Sequence, residues 1–477
     1  MGNLACHSNA SKQSRLGNLF ERQTRSYKRK RENLGVPRLM TYSLSLFPMQ
    51  ATSPVHSISW VSPSESIASV NQLHQQEKIM INTLHKTLAI LCLSAFMSSA
   101  LNARDIYVDT HATGAADGTN WGDAYTNMVA AVADANGDTF PDDIYVSAGQ
   151  YVNYFSYIVT EPCTVRSNGS GPVIFRNIAF AHPIFEIDQT DIHFFDIEFR
   201  SSATHVYGHR SRVHFNQCEF TQARLSSVVG DQCTLMQFTY CDFSDNSSPG
   251  PGGAILSNES HSVTIHNSVF SRNSSLDNGG AVHGVNLTVP GLLECQNTRF
   301  LNNQAALDGG GLSLTNTDAR LINNVLTLNQ ASRGGAIAFK NIVGASTLNL
   351  INTTVFKNRA VNTGGVWLSS SSLGNTLCHI ANSIVYRNTS PLSPTLLAQL
   401  NQAPDNISYS CVAGWGSLPW PGIGMISSAP MLLPNGRPMP FSPCIDTGNR
   451  ALCPVRFDIT GARRVRGLNI DMGAYEN

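Results

Sequence analysis

Charge is scarce in this chain of 477 residues, with Asp, Glu, Lys and Arg making up only 13%. The 32 basic and 32 acidic residues cancel, which argues against nucleic acid or another polyanion as the partner of the whole chain. Lysine almost vanishes after Lys86 and returns only at Lys340 and Lys357. No apolar run reaches the roughly 20 residues that a membrane span needs, so no transmembrane span is expected in the mature chain. The Gly-x-Ser-x-Gly elbow, the His-Glu-x-x-His helix and the phosphate loop are all missing, which removes the hydrolase, metalloprotease and nucleotide-binding readings that rest on them. No Cys-x-x-Cys pair offers a metal knot. No series of alternating ten-residue segments follows the repeats, so an outer-membrane barrel is not expected after them.

Asn, Ser, Thr and Gly are plentiful, and they fall in a pattern. Between about residues 196 and 388 a unit returns that reads Asn-x-x-(Phe or branched aliphatic)-x-x-Asn, then Gly-Gly-(Ala, Val or Gly)-aliphatic. Asn267, Phe270 and Asn273 give one copy, and Asn297, Phe300 and Asn303 the next. Asn323, Leu326 and Asn329, then Asn352, Val355 and Asn358, then Asn382, Val385 and Asn388 continue it. Weaker copies stand upstream at Phe199, Phe220 and Phe243. The aromatic or aliphatic position recurs at intervals of 21, 23, 27, 30, 26, 29 and 30 residues, a solenoid period. Runs such as Val263-Thr-Ile-His-Asn267 alternate with period two and predict short strands rather than helices. Stacked coils place like residues over like at roughly 4.8 Å. Asn297, Asn323 and Asn352 are therefore expected to form an amide ladder, and the glycine pairs to supply positive φ and close backbone approach at the turns. The fold class these features predict is all-β, a right-handed parallel β-helix.

The same residues carry a resemblance. Phe270-Ser-Arg-Asn273 with Gly279-Gly-Ala-Val282, and Phe300-Leu-Asn-Asn303 with Gly309-Gly-Gly-Leu312, resemble the FxxN and GGA(I/L/V) repeats of polymorphic outer membrane proteins and related bacterial surface β-helices. The resemblance implies an exported solenoid and does not specify a reaction.

Residues 1–79 lack either period and contain the basic run Arg25-Ser-Tyr-Lys-Arg-Lys-Arg-Glu32, read as a disordered leader or an over-extended translation start rather than a nucleic-acid or membrane-surface arm. Residues 80–103 have a basic start through Lys86, the apolar run from Thr87 to Met97 and small residues at Ser98-Ser-Ala100. That order predicts a secretory signal peptide cleaved after Ala100 or Ala103, with an uncleaved anchor as the rival. Residues 104–160 hold a strand, a Gly-rich turn with Trp121 and an amphipathic stretch over 123–134, expected to be a helix that caps the solenoid. Residues 161–390 form the repeats, and 391–477 the last coils and an irregular, Pro-rich C-terminal cap.

Both ends of the exported part are similar to secreted bacterial β-helix proteins of the choice-of-anchor type. The opening residues Ile106-Tyr-Val-Asp109 and Ile144-Tyr-Val-Ser-Ala-Gly149 match, as do Pro443-Cys-Ile-Asp-Thr-Gly448, Asp458-Ile-Thr-Gly-Ala-Arg463 and Asp471-Met-Gly-Ala-Tyr-Glu476. That likeness implies a secreted or cell-surface location. The most direct reading is a non-enzymatic, adhesin-like interaction protein that takes glycans or surface proteins as partners, with its oligomeric state open.

Two alternatives stand beside it, a structural envelope component and a polysaccharide lyase or glycoside hydrolase. A lyase needs carboxylates for Ca²⁺ and a basic group to take a proton. Glu186, Asp188 and Asp191 lead the densest acidic group, followed by Asp196 and Glu198; His205, Tyr207, His209, Arg210, Arg212 and His214 follow one coil later. Asp188, His209 and Arg210 are thus the catalytic candidates, and Glu186, Asp188 and Asp191 the Ca²⁺ candidates, with a plain solvated strand face as the simpler account and no cofactor expected without the lyase chemistry. Nine cysteines follow the signal segment. Cys218 and Cys241 are expected to stack on adjacent coils, and Cys444 with Cys453 is the favoured disulfide. Asn246-Ser-Ser, Asn352-Thr-Thr and Asn388-Thr-Ser match glycosylation triplets, yet their asparagines coincide with the repeat positions.

Overall fold

The computed structural model describes residues 103–288 and 291–477. The basic leader and the signal segment lie outside the described residues. From Asp105 onward, alternation of apolar and polar residues gives each short strand one inward and one outward face. Asp191–Phe195 buries Ile192 and Phe194, and Arg212–Asn216 buries Val213 and Phe215. Each strand pairs in parallel with its counterparts one coil away. The result is an all-β, right-handed parallel β-helix with sheets of 12, 11, 9 and 5 strands. The chain runs through the 12-stranded first sheet, the 11-stranded second and the 9-stranded third, then repeats. From Ser247 to Asn362 the 5-stranded fourth sheet is inserted between the second and the third.

The conserved spacing within each unit now has a physical meaning. Phe199, Phe220, Phe243, Phe270 and Phe300 stack down the inside of the second sheet with ring centroids 4.3–5.0 Å apart. Phe194, Phe215 and Phe238 do the same inside the first sheet at 5.2 and 5.1 Å. From Phe243 to Val385, two residues beyond the inward residue of each second-sheet strand, the chain turns sharply through a residue of positive φ, such as Arg272, Asn302 or Lys357, and drops the next residue, an asparagine, inward.

These inward asparagines form one unbroken amide ladder. Asn246, Asn273, Asn303, Asn329 and Asn358 each donate from Nδ2 to Oδ1 of the next, at 2.9–3.0 Å, and Asn358 donates to Asn388. Each Nδ2 also donates to a backbone carbonyl, as Asn303 does to Phe270. Asn388 ends the series on Gln399, whose side chain accepts from Asn388 and returns a bond to its carbonyl oxygen. The expected ladder through Asn297, Asn323 and Asn352 is corrected by this result. Those residues occupy positive-φ turn positions between the first and second sheets, and only Asn267, Asn297 and Asn323 are linked. Asn352 instead donates to Cys453 Sγ. The triplet asparagines Asn246 and Asn388 are buried in the ladder and out of reach of a modifying enzyme.

The pair Gly279 and Gly280 divides its labour. Gly279 has φ +69°, whereas a Cβ on Gly280 would lie 2.2 Å from the carbonyl oxygen of Gly310 in the next coil.

The helix Met128–Ala135 starts at Asn127, whose side chain accepts the N–H of Ala130, and buries Met128, Ala131, Val132 and Ala135 against the first coils. At the other end Leu396, Leu400, Trp415, Trp420 and Met425 close the core. The last fifty residues then do something the sequence did not announce. They run back along the outside of the second sheet, where Met472 and Cys444 pack on Ile384 and Cys411, and Ala474 and Tyr475 pack on Val325. Arg464, fully buried, reaches the carbonyl of Gly473 at 2.7 Å and lies 3.8 Å from Glu476.

This strap overturns the expected disulfide. No disulfide occurs among the described residues; Cys444 lies against Cys411, while Cys453 donates to the carbonyl of Val455 at 3.2 Å. Cys218 and Cys241 do stack on adjacent coils, and burial raises the Cys218 thiol pKa.

Candidate functional site

The outward faces of the first and third sheets near the N-terminal half carry the polar chemistry. Parallel pairing without a register shift turns a one-coil sequence interval into a column of neighbours. On the third sheet Asp188, His209, Asp231 and Asn258 form such a column. Asp231 Oδ2 lies 3.1 Å from His209 Nδ1 and accepts the Tyr207 hydroxyl at 3.3 Å, and Asp231 Oδ1 accepts from Asn258. Burial, then the nearby Asp231 carboxylate, pushes the Tyr207 phenol pKa up. Asp188 and His209 are thus adjacent, as their spacing implies. His209 is bound by Asp231, a residue the sequence reading did not single out.

Arg210 stands in the turn between the third and first sheets, with φ +51°, and its Nε donates to Gln232. His205 is not a site residue at all. It points inward, fully buried, with Nδ1 2.7 Å from Ser227 Oγ, and burial depresses its pKa to about 3.

The three Ca²⁺ candidates divide between two faces. Glu186 and Asp188 lie on the third sheet, while Asp191 begins the next first-sheet strand. There Asp191 meets two imidazoles. Asp191 Oδ1 is 3.4 Å from both His193 Nε2 and His214 Nε2, and its Oδ2 lies 3.7 Å from Arg212 Nε. The rings of His193 and His214 are parallel within 2°, with centroids 4.1 Å apart. His214 Nδ1 lies 3.1 Å from Gln237 Oε1, one coil further on. Burial, then His193, lowers the His214 pKa and favours the neutral imidazole.

Beside this group, on the same face, runs a column of flat side chains. Tyr107, Tyr145, Arg166 and Phe195 occupy matching positions on four consecutive first-sheet strands. Trp121 packs edge-on against Tyr107 at 4.9 Å, and Tyr107 stacks on Tyr145 at 5.6 Å. The Arg166 guanidinium bridges the column, 5.5 Å from the Tyr145 ring centroid and 5.3 Å from that of Phe195. Asp143 holds Arg166 in place at 3.1 Å. Across the turn from this face lies an open recess of about 490 Å³, lined by Glu161, Thr190, Asp191, Arg210 and Arg212 among others.

The ring column, His193, Asp231 and Gln237 were missed in the sequence. Their signal was present as the coil interval: 21 residues separate Asp188 from His209 and also His193 from His214.

No family model matches the chain, and no curated protein matches it. Among solved structures, the pectate lyase Pel9A is similar with a TM-score of 0.43 and 12% identity, over 80% of this chain and 98% of that one. A rhamnogalacturonan lyase is similar with a TM-score of 0.28 and 14% identity, over 68% of this chain and 85% of that one. Both likenesses are too distant to carry chemistry to this chain.

Proposed function

We propose that this chain is an exported interaction protein that binds an extended glycan along the outer face of its first sheet. The observation that carries the reading is the column Trp121, Tyr107, Tyr145, Arg166 and Phe195. Tyr107 and Tyr145 stack 5.6 Å apart on successive strands, Arg166 and Phe195 continue the column and Trp121 flanks it, so apolar ring edges and hydrogen-bonding groups alternate along the face. Sugar rings offer the complementary surface, apolar C–H faces rimmed by hydroxyls. A rigid β-helix holds such a platform in place at no ordering cost on binding, which favours affinity. Recognition of this kind needs no catalytic residue. The secretory signal expected from the sequence of residues 80–103 fits a partner met outside the cell.

A cleaving enzyme is the second reading, supported by the recess in which Arg210 and Arg212 stand with Glu161 and Asp191. Two arginines suit the carboxylates of an acidic polysaccharide. Affinity electrophoresis of the purified protein through gels containing neutral or acidic polysaccharides tests the first reading. Retardation by at least one glycan is expected, weakened tenfold or more by Tyr145→Ala or Phe195→Ala. Unchanged retardation in both variants would refute the ring column as the binding face. The same glycans, followed by ultraviolet absorbance for unsaturated ends and by a reducing-end assay, test the second. Cleavage lost on Arg212→Ala would establish it.

A further inference from the structure

The group at Asp191, His193 and His214 does more than edge a glycan platform. We infer that it is a binding site for a divalent transition-metal ion of the zinc class. This inference stands independently of the glycan reading, since it uses none of the rings in the column.

Geometry comes first. A tetrahedral ion bound at about 2.1 Å to each donor holds its donors about 3.4 Å apart. Asp191 Oδ1 stands 3.4 Å from Nε2 of His193 and 3.4 Å from Nε2 of His214. Each of the three residues offers one donor atom, and all three atoms lie within 4.8 Å of one another. The two histidines sit at matching positions on adjacent parallel strands, so the backbone itself sets their separation. Bringing both nitrogens to one ion requires a rotation of His193, whose side chain is 40% exposed and has room to turn.

The surrounding groups prepare these donors. Gln237 Oε1 lies within hydrogen-bond distance of His214 Nδ1, so Nδ1 carries the proton and Nε2 presents its lone pair toward Asp191. His214 Nε2 and Asp191 Oδ1 are both buried atoms without a hydrogen-bond partner of good geometry, although they face each other. Buried acceptors in that state are costly, and a cation between them removes the cost. Arg212 engages Oδ2, the other carboxylate oxygen, and leaves Oδ1 to the ion.

Donor chemistry selects the metal. Two imidazole nitrogens and one carboxylate oxygen suit Zn²⁺, Ni²⁺ or Cu²⁺, whereas Ca²⁺ needs six to eight oxygens. Three protein ligands also leave a fourth position for water or an outside ligand.

The test is calorimetric titration of the chelator-treated full chain with zinc chloride, with cobalt(II) visible absorption as a second probe of a tetrahedral site. The expected result is one equivalent of zinc whose affinity falls at least tenfold in His193→Ala and in His214→Ala, while calcium chloride gives no saturable heat. His193→Ala removes a partly exposed side chain, and an unchanged thermal midpoint will show that the loss is not one of folding. Gln237→Ala is expected to weaken binding by about tenfold or more. The inference is overturned if the parent takes up no zinc, if both histidine variants bind it as tightly as the parent, or if calcium binds and zinc does not.

Discussion

Asn303 shows what one side chain does in this fold. Its Nδ2 donates to Asn329 and to the carbonyl of Phe270, and its Oδ1 accepts both the side chain and the backbone N–H of Asn273. Replacing it by leucine breaks the ladder on both sides and leaves buried amide groups unpaired, at about 1–3 kcal/mol for each. Asn303→Leu is therefore expected to lower the unfolding midpoint in urea more than Asn267→Leu does. Asn267 serves mainly its turn and keeps one ladder bond, to Asn297. Equal midpoints would show that the buried ladder contributes no more than the turn position. Asn323 is a third case: its amide bonds to Asn297 and to the carbonyl of Phe457, and it accepts from Arg464. Loss of that residue loosens the tail as well as the coil, a consequence invisible in the repeat pattern.

At the scale of elements, the strap over the second sheet depends on Arg464. The guanidinium is buried beside Glu476 and bonds carbonyls of the strap itself and of Asn352 in the coil beneath. Arg464→Ala removes the cation nearest the buried Glu476 together with the bonds to the Gly473 and Asn352 carbonyls, and is expected to loosen the strap. Faster amide hydrogen exchange is expected at Gly473 and Ala474, which bond Asn382 and Thr354 across the interface. The inner strands should keep their protection. If exchange instead rises evenly along the chain, the strap and the coils unfold as one unit. The sequence held a muted sign of this element. Val325, Ile384 and Cys411 are apolar at outward positions of the second sheet, where alternation would call for polar residues, and the strap covers them.

For the whole molecule, three buried groups set opposing responses to pH. Burial depresses His205 to about 3 and His283 to about 4, below the ordinary value of about 6.5 in an unfolded chain. Both stay neutral when folded, so their contribution is fully present above pH about 6.5 and is lost as pH falls toward their folded values. Burial raises Glu476 to about 7, so it favours the folded state most below about pH 4.3, and that contribution is lost as pH rises toward 7. Two histidines outweigh one carboxyl, so stability should fall from pH 6.5 to 5. Glu476→Gln, which cannot ionise, should make that fall steeper. Urea midpoints across pH 5 to 8 decide the matter, and parallel profiles for parent and variant would remove Glu476 from the account. His205 and His283 lie in different coils and Glu476 lies in the strap, so these effects should add.

The sequence by itself determined the coil. Period-two alternation, the recurring Phe and Asn, and the glycine pairs are local rules repeated many times, and repetition made them legible as a parallel β-helix with a helical N-terminal cap. It also placed Asp188 next to His209, since parallel strands without a register shift convert sequence interval into contact. Only the tertiary structure decided which asparagine turns inward, because in one turn the asparagine itself takes the positive φ, as Asn267 does at +52°, and in the other it follows the residue that does, as Asn273 follows Arg272 at +55°. It alone laid the tail along the second sheet, a contact between residues such as Asn323 and Arg464 that are 141 positions apart and share no periodic relation. The outward columns fell between these cases: which residues share a column follows from the interval, but whether Asp191 faces the third sheet or turns the corner to meet His193 and His214 is set by a two-residue turn. That corner decides whether the acidic group offers oxygens to calcium or joins two imidazoles.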